Sequence, residues 1–126
     1  MHFDRVIVVD WSAANLPTSA TNRANAIWIG CHDAEGAAEW HHRTRAAAEA
    51  QLVTLIDTAR ADGMRLLVGF DFAMGYPAGF AARLTGGNAA SVWEWMAGAI
   101  TDTPDNRNNR FAVAARINAA FPEGPG

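Results

Sequence analysis

Two stretches decide the fold: DRVIVVD, residues 4–10, and MRLLVGFDF, residues 64–72. Each is continuously apolar through its middle, as strands buried on both faces are. Each also runs into a carboxylate, Asp10 in VVDWS and Asp71 in GFDFA. Between them AIWIGC (26–31) reads as a second strand and AAEWHHR (37–43) as a third, more polar and so nearer an edge. The short HDAEG turn makes these two a hairpin, and WSAANLPTSATNRAN reads as a long polar loop after strand one. Thr44 caps a helix in which Leu52, Leu55, Ile56 and Ala59 recur at helical spacing, and Gly63 stops it.

The order is therefore β-β-β-α-β. Strands one to three alternate in direction, the helix is a crossover, and strand four returns parallel to strand one. The two apolar strands are expected side by side, about 4.8 Å apart. Asp10 and Asp71 then share the C-terminal edge of adjacent parallel strands, where open α/β sheets gather their ligands. Helices are expected beyond. Pro77 starts a short one bearing Phe80 and Leu84, Asn88 caps another carrying Val92, Met96 and Ile100, and a third covers about 107–120 with Val113, Ile117 and Phe121 in register. The expectation is one α/β domain over residues 1–126, with a mixed central sheet followed by C-terminal helices.

Half of the residues are apolar and 18% are charged, as in an ordinary globular protein. The net charge of −3 excludes an overall basic field that would gather nucleic acid. The single cysteine, Cys31, excludes an internal disulfide and fits a reducing, cytoplasmic compartment. It reads as core filler. The first ten residues are neither a signal peptide nor a membrane span, so no membrane association is expected.

A third carboxylate follows from the helix. Glu49 lies three, four and seven residues before Leu52, Val53 and Ile56, which places it on the stripe expected to face the sheet. Three converging carboxylates repel one another unless a cation sits among them, and hard oxygen ligands suit Mg²⁺ or Mn²⁺. The plain alternative is that Asp10 and Asp71 are strand-terminating turn residues and Glu49 an ordinary solvated helix residue.

An Asp ending strand one, a Glu early in the crossover helix and an Asp ending strand four resemble the arrangement of the ribonuclease-H-like superfamily. DWS is similar to the D-x-S start of that family. VVDWSAAN together with GFDFAMGYPAGF resembles a group of bacterial proteins predicted to be ribonuclease-H-like nucleases. The likeness covers about residues 4–80. It implies two-metal phosphodiester hydrolysis, with Asp10 bridging two Mg²⁺ or Mn²⁺ ions, Glu49 and Asp71 completing their shells as catalytic and metal-binding residues, and Ser12 as the candidate cofactor-binding hydroxyl. It also implies a fifth strand and a late acidic helix. No fifth strand is legible after residue 72, and the ending FPEGPG reads as a loop, so the sequence suggests a domain cut short at its C-terminus. Glu94 and Asp105 are candidates for the missing acidic ligand.

Other residues carry weaker signals. His41 and His42 are adjacent on a strand, point to opposite faces and read as surface residues. Trp93 and Trp95 flank Glu94 on a helix, where packing outweighs base stacking. Arg107 and Arg110 in DNRNNR are phosphate contacts or parts of a capping loop. Two further function classes stay open beside a metal-dependent nuclease or phosphohydrolase. One is a nucleotide- or phosphate-binding module of the actin-like type, against which the loop after Asp10 lacks a glycine cradle. The other is a non-catalytic assembly domain, in which five Trp and uncovered apolar surface favour a homodimer. The partners expected are thus nucleic acid, a small phosphorylated ligand, or a second copy.

Overall fold

A computed structural model describes residues 2–121. Four strands, β1 (Arg5–Asp10), β2 (Ile27–Asp33), β3 (Gly36–His42) and β4 (Leu66–Phe70), form one mixed sheet in the order β3-β2-β1-β4. β1 pairs antiparallel with β2 and parallel with β4, where Ile7 stands opposite Val68 and Val9 opposite Phe70. The two apolar runs are neighbours, but β4 is an edge strand of this sheet and neither run is buried on both faces, since Val8 and Leu67 are exposed. Helix α1 (Arg45–Ala61) makes the crossover. Three further helices follow: α2 (Phe80–Thr85), α3 (Ala89–Ala99) and α4 (Arg110–Ala119). No strand follows β4 among the described residues, although Asp102 and Asn108 form an isolated bridge. The closing PEGPG, which contributes to the expectation of a loop-like ending, lies outside the described residues.

The chain forms two compact units. The first comprises the sheet, α1 and Thr103–Arg107; the second comprises Ala73–Asp102 and the described residues from Asn108 onward. In the first, alternation along the strands builds the core. Ile7, Val9, Ile27, Ile29 and Cys31 present one face to Ala48 and Leu52 of α1, with Trp11, Trp40, Leu55, Leu66, Val68 and Phe70 packed around them. Each fully buried Val or Ile contributes about 1.5–3 kcal/mol. The out-of-phase residues of the same strands stay open to solvent, Val8 at 59% and Leu67 at 43%. Cys31 belongs to the core, and burial pushes its thiol pKa up. In the second unit α2 packs on α3. Phe121, Phe80 and Tyr76 stack nearly parallel at 5.1 and 4.9 Å, and Val92 and Val113 are buried.

Local chemistry explains the element ends. The Thr44 side chain accepts the Ala47 amide and starts α1. The helix closes through Gly63 N–H to Arg60 O and Met64 N–H to Ala59 O, with Gly63 at φ 65°, a conformation that favours glycine. This use of Gly63 and Met64 explains why β4 is shorter than the apolar stretch 64–72. β2 runs on through His32 and Asp33, and the hairpin tightens to Ala34 and Glu35 ahead of Gly36. Asn88 caps α3 by accepting the Ala90 and Ser91 amides. α4 begins at Arg110 rather than 107, because Arg107 is held in a turn by the Thr103 amide.

No helix among the described residues is long and apolar enough to cross a membrane.

Candidate carboxylate site

Asp10 closes β1 in phase with exposed Val8, and therefore on the face of the sheet away from α1. Asp71 follows β4, and its amide donates to Val9 O at 3.2 Å, which extends the parallel ladder by one rung. The next rung of such a ladder would run from Trp11 N–H to the Asp71 carbonyl. The Trp11 amide donates instead to the Asp71 side chain, Oδ1, at 2.8 Å. The carboxylate thus ends the pairing and is held beside the turn that leaves β1.

This geometry brings Asp10 and Asp71 within reach of a side-chain hydrogen bond, although both residues are exposed. The Asp10 carboxyl is raised above its ordinary pKa of 3.8, first by loss of hydration and then by the Asp71 carboxyl facing it, through both hydrogen bonding and charge. Two carboxylates so placed favour either a shared proton or a cation.

Glu49 is exposed on α1. The buried stripe of α1 runs through Arg45, Ala48, Leu52 and Ala59, and Val53 is 51% exposed. Glu49 is one residue beyond Ala48, off that stripe and exposed. It borders a hollow of about 390 Å³ together with Trp11, Leu52, Phe70 and Phe72. These aromatics are the chain neighbours of Asp10 and Asp71, on the opposite side of the alternation. Among the described residues, no group of three or more His, Cys, Asp or Glu side chains is placed to hold a metal ion. Asp10 and Asp71 thus face each other, and Glu49 lines the hollow formed by their chain neighbours.

The remaining candidates have defined surroundings. Ser12 Oγ accepts the Ala14 amide at 3.3 Å, a local turn in the loop after β1. Asp105 accepts the Thr103 hydroxyl and pairs with Arg107 at 3.1 Å, contacts that lower its pKa. Arg110 lies over the Phe111 ring at 4.7 Å and Arg116 over Trp95 at 5.2 Å. Glu94 is exposed on α3. His41 and His42 are half-buried rather than fully exposed. The Trp28 ring is 5.2 Å from His41, and His42 Nε2 is buried with no hydrogen-bond partner among the described residues.

Sequence reasoning missed the two residues that position the loop after Asp10. Arg45 is buried and donates to Ser12 O at 3.1 Å, Ala14 O at 2.7 Å and Asn106 O at 2.6 Å. Asn106 is 2% exposed and sits at φ 72°. Its Oδ1 accepts the Arg45 amide at 2.8 Å, while Nδ2 donates to Leu16 O and Arg43 O. A signal was present: an arginine in the first turn of a helix opposes the helix dipole and needs a local reason.

Compared with protein-family models, curated proteins and solved structures, the chain has no match.

Proposed function

We propose that this chain is a divalent-cation-dependent phosphoester hydrolase whose ion is held by Asp10 and Asp71. The observation that carries the reading is the close approach of these two carboxyl groups at the C-terminal edge of adjacent parallel strands, with the Asp10 pKa raised by its neighbour. An Mg²⁺ or Mn²⁺ ion relieves that repulsion and suits an all-oxygen donor pair. When bound it supplies Lewis acidity toward a phosphoryl oxygen and toward water. Asp71 is fixed for the task by the Trp11 amide, and the Arg45–Asn106 contacts hold the backbone of the following loop at Ser12 and Ala14.

The resemblance to ribonuclease-H-like proteins supports phosphodiesters as the substrate class, in nucleic acid or in a smaller phosphorylated compound. The two-ion form of the mechanism needs Glu49 as a third ligand. The one-ion form needs only the pair.

The test is a calorimetric titration of Mn²⁺ into wild type, Asp10→Asn and Glu49→Gln, with cleavage of RNA, DNA, hybrid and generic phosphodiester substrates alongside. Wild type is expected to bind Mn²⁺ and to cleave only with Mg²⁺ or Mn²⁺. Asp10→Asn is expected to lose both properties, and Glu49→Gln to retain one ion. Metal-independent cleavage, or Mn²⁺ binding untouched by Asp10→Asn, overturns the reading.

A further inference from the structure

The hollow on the α1 side of the sheet edge has a composition of its own. Three of its five lining residues are aromatic, Trp11, Phe70 and Phe72; Leu52 is the buried apolar member and Glu49 the single charged one. The rings meet at angles rather than in one plane. Trp11 and Phe70 stand edge to face at 70° with centroids 6.4 Å apart, and Phe70 and Phe72 tilt by 38° at 5.0 Å. Phe72 remains 39% exposed. Strand alternation produces this arrangement, since Trp11, Phe70 and Phe72 occupy the phase opposite to Asp10 and Asp71.

Charge and hydration narrow the occupant. An anion is repelled by Glu49 and by the negative ring faces. A neutral apolar molecule fills the space but strips water from a carboxylate and gives nothing back. A small inorganic cation holds its own hydration shell too tightly for aromatic walls to replace. A weakly hydrated organic cation satisfies both components, because ring faces attract it and one carboxylate balances its charge. A volume of about 390 Å³ lies within the range of small-molecule sites.

We propose that Trp11, Phe70, Phe72 and Glu49 form a site for a small quaternary ammonium compound.

The test is titration of choline and of tetramethylammonium chloride into the full chain. Heat and the Trp11 indole N–H resonance are followed, the latter assigned with Trp11→Phe. The neutral isostere 3,3-dimethylbutan-1-ol and sodium chloride serve as controls. Saturable binding of both ammonium salts is expected, with the alcohol at least about tenfold weaker. Phe72→Leu and Glu49→Gln, both at exposed positions, are expected to weaken binding by about fivefold or more while melting like wild type. No saturation by about 50 mM, equal binding of the alcohol, or indifference to both variants overturns the site. A trimethyl-lysine peptide binding more tightly than choline would also overturn it, by reassigning the hollow to a modified chain.

Discussion

The Asp71 side chain accepts the Trp11 amide at 2.8 Å, in the position where a ladder carbonyl would otherwise stand. One carboxylate therefore both terminates a strand pair and faces Asp10. The turn-residue reading and the ligand reading of Asp71 are compatible, and substitutions separate them. Asp71→Asn keeps an oxygen acceptor for Trp11 and is expected to fold with near wild-type stability while losing Mn²⁺ binding. Asp71→Ala loses both, at a cost of about 1 kcal/mol in denaturant unfolding. Equal stability of the two variants would remove the structural role.

Asp10 carries the opposite balance. Its pKa is raised in the folded chain, so its stabilising contribution is complete below the ordinary carboxylate pKa and is lost as pH rises through the raised value. At neutral pH the ionised pair is a burden. Asp10→Asn should raise the melting temperature by about 2–4 °C, corresponding to roughly 0.5 kcal/mol at an exposed site. The gain should shrink as pH falls toward 3.8 and below. Added Mn²⁺ should raise the Tm of wild type and leave the variant unchanged. Thermal melts across pH, with and without Mn²⁺, check both statements.

Asn106 is expected to be the most sensitive polar residue of the first unit. It combines a left-handed backbone with acceptance from Arg45 and donation to Leu16 and Arg43. Asn106→Gly removes the side-chain bonds, and Asn106→Ala adds a backbone penalty of about 1 kcal/mol. Losses of about 2–3 kcal/mol for glycine and 3–4 kcal/mol for alanine are expected in urea unfolding. Alanine milder than glycine would contradict this account.

His42 should make the fold acid-sensitive. Its imidazole pKa is lowered from 6.5, first by burial and then by the neighbouring His41 charge, and its Nε2 has no partner among the described residues. The stability held by the neutral ring is therefore present above the ordinary pKa of 6.5. It is lost as pH falls below that value toward the depressed one. His42→Leu should flatten the fall in Tm between about pH 7 and pH 5. An unchanged slope would show that another group governs it.

Much of the sheet was legible because its signals are local. Two unbroken apolar runs placed β1 beside β4, and Thr44, Gly63 and Asn88 marked helix ends by their own hydrogen bonds. The approach of Asp10 to Asp71 followed from that pairing. The buried stripe of α1 was less legible, because its small alanines define a face poorly. The stripe through Arg45, Ala48, Leu52 and Ala59 overlaps one through Glu49, Leu52, Val53 and Ile56 at Leu52. The Arg45–Asn106 knot was not legible at all, since it joins residues 61 apart in the chain and no periodicity connects them.

The parallel pairing of β1 with β4 also has a kinetic consequence. The β2–β3 hairpin closes over a two-residue turn, whereas the Trp11–Asp71 contact spans 60 residues. Local pairs form in microseconds, and long-range ones must first meet the entropy of closing the loop. The hairpin and α1 are therefore expected to form before β4 docks and brings Asp10 and Asp71 together. The carboxylate pair, and any chemistry it supports, is a property only of the completely folded sheet.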